Sequence, residues 1–79
     1  MSIKERIKKV LSLVFEVEIN SLNDESSPDN IDKWDSIGHI NMAVALESEF
    51  NIELTEEEIM ELMNLKIIEL VIFEKTKSV

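Results

Sequence analysis

Apolar residues recur at helical spacing in four separate stretches of the sequence, which predicts an all-α fold. The first stretch runs from about Ser2 to Glu16, and its expected inward positions are Ile3, Ile7, Val10, Leu11 and Val14. Ser2 and Glu5 have the Ser-x-x-Glu spacing of a capping box, in which each side chain bonds the backbone N–H of the other residue. The sequence therefore predicts a first helix that begins directly after Ser2.

The second stretch, which ends at Phe50, carries two apolar faces instead of one. At roughly 100° per residue, the predicted core face contains His39, Met42, Ala43, Leu46 and Phe50. The other face contains Ile37, Ile40 and Val44, bordered by Asn41, Glu47 and Ser48. A surface helix normally needs only one apolar stripe, so the second face is interpreted as a docking surface. The alternative explanation is partial burial of this face beneath the preceding loop.

The last two stretches predict a short third helix and a longer fourth one. Thr55 and Glu58 form another capping box, and the third helix should end near Leu62. Asn64 can cap a fourth helix over residues 65 to about 75. The expected inward positions are Ile59 and Leu62 in the third helix, and Ile68, Val71 and Ile72 in the fourth. The fourth helix is apolar nearly all round, so it is either deeply packed or partly exposed, and self-association through it stays open.

Residues 18–34 show no sustained period and are rich in the turn-forming residues Asn, Asp, Ser and Pro. A connection of this length must be anchored or mobile, and the expected anchors are Leu22, Ile31 and Trp34. The aspartates at positions 24, 29, 32 and 35 raise the alternative of a calcium loop. Their spacing lacks the Asp-x-Asp-x-Asp-Gly pattern and contains no glycine, so we expect no metal site.

The sequence has 79 residues, and we expect one small domain spanning residues 1–79 with a modest core. The absence of cysteine excludes disulfides, cysteine-ligated metals and cysteine nucleophiles. No segment is apolar enough for a membrane span, and residues 1–9 lack the apolar run of a secretory signal. We therefore expect a cytoplasmic monomer.

The negative charge is concentrated in the middle of the chain. The net charge is −9, but residues 16–61 contain 14 acidic residues and one basic residue, Lys33, for a local net charge of −13. Nucleic acid would be repelled by this charge, so it is excluded as a partner. An acidic field steers basic protein partners toward the surface. The alternative is an acidic surface that serves solubility alone.

Asp35 and Ser36 stand at the predicted start of the second helix. The Asp35 carboxylate can cap the free backbone N–H groups there, which puts the Ser36 hydroxyl at the mouth of the helix. A helix start favours anions, so a phosphate esterified to Ser36 would be stabilised. Asp35, Ser36 and His39 cannot form a hydrolytic triad, because adjacent Asp and Ser cannot flank one imidazole as a triad requires. We expect no enzymatic activity, and a partly buried His39 with one hydrogen-bond partner.

The segments Asp-Ser-Ile at 35–37 and Ala-Leu-Glu-Ser-Glu-Phe at 45–50 resemble the modification site and second helix of acyl carrier proteins. Length, acidity and helix order extend the resemblance to nearly the whole chain. It implies a four-helix bundle with three main helices, one short third helix and a long loop between the first two. It also implies that Ser36 carries 4'-phosphopantetheine, transferred from coenzyme A by a phosphopantetheinyl transferase, and that Asp35 helps to position this transferase.

Three residues depart from the fatty-acid type of this family and favour a specialised pathway. Gly38, Asn41 and Ser48 stand where acidic or larger polar residues are usual, and Gly38 should also loosen the first helical turn. The expected partners are an acyl- or aminoacyl-loading ligase and a synthase or acyltransferase with a basic docking surface. The residues expected to contact them are Ile37, Ile40, Asn41, Val44 and Glu47.

The competing interpretation is an unmodified acidic helical adaptor that binds a basic protein partner through the same face. The two interpretations differ at Ser36, which is modified in the first and an ordinary helix-start residue in the second. For a carrier, shelter of an apolar chain between the core faces depends on the cargo, which the sequence leaves open.

Overall fold

The structure is a computed structural model that describes residues 2–77. It contains four α-helices, which are α1 (Ile3–Phe15), α2 (Ser36–Phe50), α3 (Glu56–Glu61) and α4 (Leu65–Lys77). A short 3-10 turn, Ile19–Ser21, lies between α1 and α2. Residues 2–77 contain no β-strand. The predicted all-α fold, with three main helices, a short third helix and a long first loop, is confirmed.

The predicted helix starts are also confirmed. Capping boxes are present at Ser2 with Glu5 in α1, and at Thr55 with Glu58 in α3. The Asn64 side chain accepts a hydrogen bond of 2.8 Å from the backbone N–H of Ile67, so it caps α4. Each cap satisfies a backbone donor that has no partner within its own helix.

Three helix ends differ by one or two residues from the prediction, and the first helix ends at Phe15, one residue before Glu16. The third helix ends at Glu61, one residue before Leu62, and the fourth continues to Lys77, two residues beyond Lys75. The last turn of α4 is basic, which favours its extension, because positive side chains interact favourably with the negative end of the helix dipole.

All four helices and the connections between them contribute to one apolar core. Its largest fully buried side chains are Phe15, Ile7, Leu11, Met42, Leu46, Leu62, Leu65, Ile68 and Ile72. The expected inward stripe of α1 ended at Val14, but the structure buries Phe15 and leaves Val14 only partly buried. The larger ring is buried because it stacks on Trp34, with 5.0 Å between ring centroids. Stacked aromatic pairs stabilise a core beyond their buried area.

The long first loop is anchored at both ends and in its middle. Leu22, Ile31 and Trp34 are all buried, as predicted. The backbone N–H of Leu65 donates to the carbonyl oxygen of Ser26 at 3.0 Å, so the loop also covers the start of α4. These contacts hold the loop in place up to the point where it leads into Ser36.

Helices α1 and α2 run antiparallel. Arg6 near the start of α1 bonds Glu49 near the end of α2, whereas Phe15 at the other end of α1 contacts Trp34 just before α2. The fourth helix is partly exposed, because Leu70 and Phe73 are each about half exposed. Within residues 2–77, no helix is both long and apolar enough to cross a lipid bilayer.

Candidate functional site

Asp35 and Ser36 form the start of α2 as the sequence predicted. The Asp35 carboxylate accepts a hydrogen bond of 2.8 Å from the backbone N–H of Gly38, and the backbone of Asp35 is extended. Ser36 is the first helical residue and its side chain is exposed. Among residues 2–77, no group forms a hydrogen bond with the Ser36 hydroxyl. The hydroxyl is therefore free to be approached from solvent at the positive end of the helix dipole.

Gly38 allows the backbone of the preceding loop to pack against the first turn of α2. A Cβ atom built on Gly38 would overlap the carbonyl oxygen of Lys33 and would lie 3.2 Å from Oδ1 of Asp35. Gly38 is buried, so it also contributes no surface to the docking face. Only glycine leaves room here for the backbone of the preceding loop, and the effect of Gly38 on the mobility of this turn stays a prediction.

An open groove of about 560 Å³ lies beside Ser36. Its lining residues are Pro28, Trp34, Asp35, Ser36, His39, Ile40, Met60 and Met63. The groove thus joins the end of the first loop, the first turns of α2 and the end of α3. Met60 and Met63 were not predicted as site residues. For Met60 the sequence offers one indication, since it follows Ile59, which was expected to face inward, and therefore falls on the outer side of α3. For Met63 the helical pattern offers none.

His39 forms two hydrogen bonds, one more than predicted. Its Nδ1 atom accepts from Nε1 of Trp34 at 2.9 Å, and its Nε2 atom lies 2.7 Å from the carbonyl oxygen of Ile59. An indole N–H only donates and a carbonyl only accepts, so the ring is neutral with its hydrogen on Nε2. His39 links the loop, α2 and α3, and both of its nitrogens are occupied.

The second apolar face of α2 is exposed. The exposed fraction is 75% for Ile37, 53% for Ile40 and 58% for Val44, so the alternative of burial beneath the loop is wrong. Asn41 is exposed between them. Contiguous apolar side chains that monomers leave in water commonly mark interaction surfaces.

Glu47 lies at the edge of this face and has a structural contact of its own. Its Oε2 atom accepts a hydrogen bond of 2.7 Å from the backbone N–H of Leu54. Glu47 is half-buried, so only part of its carboxylate faces solvent. The bond ties α2 to the connection that precedes α3, a pairing that the helical phase of Glu47 alone does not predict.

The single basic residue in the acidic middle of the chain forms an ion pair with an acidic neighbour. Nζ of Lys33 lies 2.8 Å from a carboxylate oxygen of Glu16. The hydrogen bond and the positive charge of Lys33 hold the pKa of Glu16 below its ordinary value. Lys33 is the one basic residue between positions 16 and 61. Because acidic residues outnumber it 14 to one in this segment, the surface field there is negative.

The loop aspartates do not gather around a common point. Asp24 instead pairs with Lys4, with 2.8 Å between Oδ1 and Nζ, and this partner lowers the pKa of Asp24. Within the described part of the chain, no three Asp, Glu, His or Cys side chains are arranged to hold a metal ion.

Comparison with solved structures gives a close match over almost the whole chain. The solution NMR structure of a holo acyl carrier protein from Geobacter metallireducens superposes with a TM-score of 0.86 and 27% sequence identity. The match covers 99% of this chain and 90% of that protein. No sequence profile of a known family matches, and no curated protein sequence matches. The resemblance to acyl carrier proteins is confirmed, and this fold is that of a carrier protein and not of an enzyme.

Proposed function

We propose that this chain is an acyl carrier protein in which the Ser36 hydroxyl carries 4'-phosphopantetheine, and that residues 1–79 act as one carrier domain. The observation that supports it most is the exposed Ser36 at the capped start of α2, in a chain that superposes on a holo acyl carrier protein. When bound, the phosphopantetheine would supply a terminal thiol that holds an acyl or aminoacyl group as a thioester.

The residues around Ser36 suit such an attachment. The phosphodiester would lie at the N-terminus of α2, where the helix dipole stabilises negative charge. The adjoining groove offers apolar walls from Ile40, Met60 and Met63 to the arm. Within residues 2–77 no side chain accepts a hydrogen bond from the hydroxyl, so we expect the partner transferase to take up its proton. In the attachment, the Ser36 oxygen forms a bond to the phosphorus next to pantetheine, and the bond from this phosphorus to adenosine bisphosphate breaks.

The proposed partners dock on the exposed face formed by Ile37, Ile40, Asn41, Val44 and Glu47. These partners are the phosphopantetheinyl transferase, a loading ligase for an acyl or aminoacyl group, and a synthase or acyltransferase with a basic surface. The exposed isoleucines and valine supply apolar contact area, and the acidic surroundings increase the encounter rate with basic partners. Asn41 and Ser48 keep this face less acidic than in the fatty-acid type, which supports a specialised pathway.

The test is the intact mass after incubation with coenzyme A, magnesium and a broad-specificity phosphopantetheinyl transferase. We expect the wild type to gain one phosphopantetheinyl unit and the Ser36→Ala variant to gain none. The matched control is Ser48→Ala, which changes another exposed serine of α2 and should gain the unit as the wild type does. No gain in folded wild type with several transferases would refute the carrier and favour the unmodified adaptor.

The two proposed roles of Asp35 can be separated in the same assay. Asparagine is also a good N-cap, so Asp35→Asn should keep the hydrogen bond to Gly38 and the stability of α2. The loss of its negative charge should nevertheless slow the modification if Asp35 positions the transferase. An unchanged modification rate would restrict Asp35 to capping.

A further inference from the structure

His39 joins α2 to α3 at the inner wall of the groove beside Ser36. Its Nε2–H donates to the carbonyl oxygen of Ile59, and its Nδ1 accepts from the indole N–H of Trp34. These bonds cross between the loop, α2 and α3, which are the elements that surround the groove. They lie between the open groove and the side chains of the core.

Aromatic packing fills the space behind this link. Trp34 is only 3% exposed, and its ring stacks on Phe15 and against His39 with centroid distances of 5.0 and 6.3 Å. Leu46 of α2 and Leu62, which directly follows α3, belong to the core and have no exposed surface at all. A chain that entered here would have to displace close-packed side chains, which resist small changes of volume.

Entry of an apolar chain would also break both hydrogen bonds of His39. The indole N–H of Trp34 would then face hydrocarbon without a partner, and the carbonyl of Ile59 would keep only its bond from the backbone N–H of Leu62 at 3.2 Å. Buried polar groups without hydrogen bonds are costly, and an alkyl chain offers no replacement donor or acceptor. The groove on the outer side imposes no such cost, because its walls are already formed by Pro28, Ile40 and the adaptable side chains of two methionines.

From these contacts we propose that His39 keeps the cargo of this carrier outside the helical core. The cargo is a short apolar acyl group that lies in the groove lined by Ile40, Met60 and Met63. This inference rests on the proposed function, since it concerns a group carried at Ser36. It makes His39 a specificity-determining residue, because it decides where the cargo can lie.

The test attaches chains of increasing length without any transferase. The chain contains no cysteine, so Ser36→Cys introduces a single thiol that can be alkylated with pantetheine-length arms ending in butyryl, octanoyl or dodecanoyl amides. The NMR signals to follow are the amides of Leu46 and Leu62 in the core and of Ile40 in the groove. We expect the Ile40 signal to move with the butyryl arm, and the Leu46 and Leu62 signals to stay in place through the whole series. Shifts of Leu46 and Leu62 that grow with chain length would overturn the proposal.

A second series in the His39→Leu background removes both hydrogen bonds. Here we expect the thermal unfolding midpoint to rise with chain length, because the longer chains can now enter the core. Asn41→Leu is the matched control, since it adds the same side chain on the exposed side of α2. Its unfolding midpoint should not rise with chain length, and neither should that of the protein with His39 in place. If the leucine variant does not fold, His39→Ala, which also removes both hydrogen bonds, replaces it. If the unfolding midpoint of a folded His39 variant does not rise with chain length, the role of His39 is refuted.

Failure of this inference can be distinguished from failure of the proposed function. The enzymatic mass assay reports whether Ser36 is modified, whereas the alkylated series reports where a tethered chain lies. If the NMR signals of the core residues shift increasingly with chain length while the wild type gains the expected mass, only the exclusion of cargo from the core is overturned. A missing mass gain would overturn the carrier and, with it, the assignment of the groove to cargo.

Discussion

The carbonyl oxygen of Lys33 occupies the space in which any residue other than glycine at position 38 would have its Cβ atom. Lys33 lies at the end of the long loop and Gly38 in the first turn of α2. This contact brings the loop against the helix start, immediately beside Ser36. Glycine at this position therefore serves the close approach of two backbone segments.

Gly38→Ala should destabilise the protein, although alanine is favoured over glycine within a helix by about 1 kcal/mol. The added Cβ atom meets backbone, which cannot rotate away as a side chain can, and overpacking of this kind costs about 1–3 kcal/mol. The free energy of unfolding in urea measures the effect. Asn41→Ala is the control at an exposed position of the same helix and should be neutral or slightly stabilising. A stabilised Gly38→Ala variant would contradict the contact with Lys33.

Arg6 fastens the end of α2 to α1 by three contacts. Its guanidinium bonds the carboxylate of Glu49 at 2.9 Å and the carbonyl of Glu49 at 2.8 Å, and it lies 4.4 Å from the ring centroid of Phe50. Lysine cannot reproduce the forked donors or stack in the same way. We expect Arg6→Lys to lower the unfolding free energy by about 1 kcal/mol.

The matched control for Arg6→Lys is Lys9→Arg, which exchanges the same two residue types at an exposed position of α1. It should change the unfolding free energy by less than about 0.5 kcal/mol. Equal effects of the two substitutions would mean that the contacts with Glu49 and Phe50 contribute nothing to stability.

Glu47 has a structural contact in addition to its proposed place on the docking face, and the two can be measured separately. Glu47→Ala removes the acceptor for the Leu54 N–H and should cost about 1–2 kcal/mol of unfolding free energy. Glu47→Gln keeps an acceptor and should cost less. Val44→Ser, an exposed neighbour on the same face, should change stability by less than about 0.5 kcal/mol.

The same variants then report on docking when their modification rates are compared. Val44→Ser should slow transfer from coenzyme A because it removes apolar contact area. If Glu47→Gln is as stable as the wild type and is modified at the wild-type rate, Glu47 serves the fold and not the docking face.

Acidification should weaken the link between α3 and α4. The Glu58 carboxylate bonds Lys75 at 2.8 Å and also caps the backbone N–H of Thr55, and these partners lower the pKa of Glu58. A group with a lowered pKa in the folded state stabilises the fold above its unfolded pKa, and this contribution disappears as the pH falls through the folded value.

Glu58→Gln should therefore be less stable than the wild type at neutral pH, and the difference should shrink as the pH is lowered through the carboxylate range. Unfolding midpoints at a series of pH values measure this. Glu57→Gln, at an exposed position of the same turn, is the control and should differ little from the wild type at neutral pH. A stability difference between Glu58→Gln and the wild type that does not change with pH would contradict the linkage.

Local patterns in the sequence determine the helices, their capped starts and the two faces of α2. Capping boxes and helical periodicity join positions three or four apart, so they need no knowledge of the path of the chain. The prediction therefore located Ser36 at the first turn of α2 and left Ile37, Ile40 and Val44 in solvent, as the structure has them. The resemblance to acyl carrier proteins rested on the same local segments.

Contacts that fall outside the helical repeat were decided only by the tertiary structure. The packing of Lys33 against Gly38, the bond from His39 to Ile59 and the groove wall formed by Met60 and Met63 depend on how the loop and α3 fold back onto α2. Periodicity assigns a residue to a face but does not name what will meet that face. Close packing of the assembled chain then selects each partner, because only one arrangement fills the core and satisfies its polar groups.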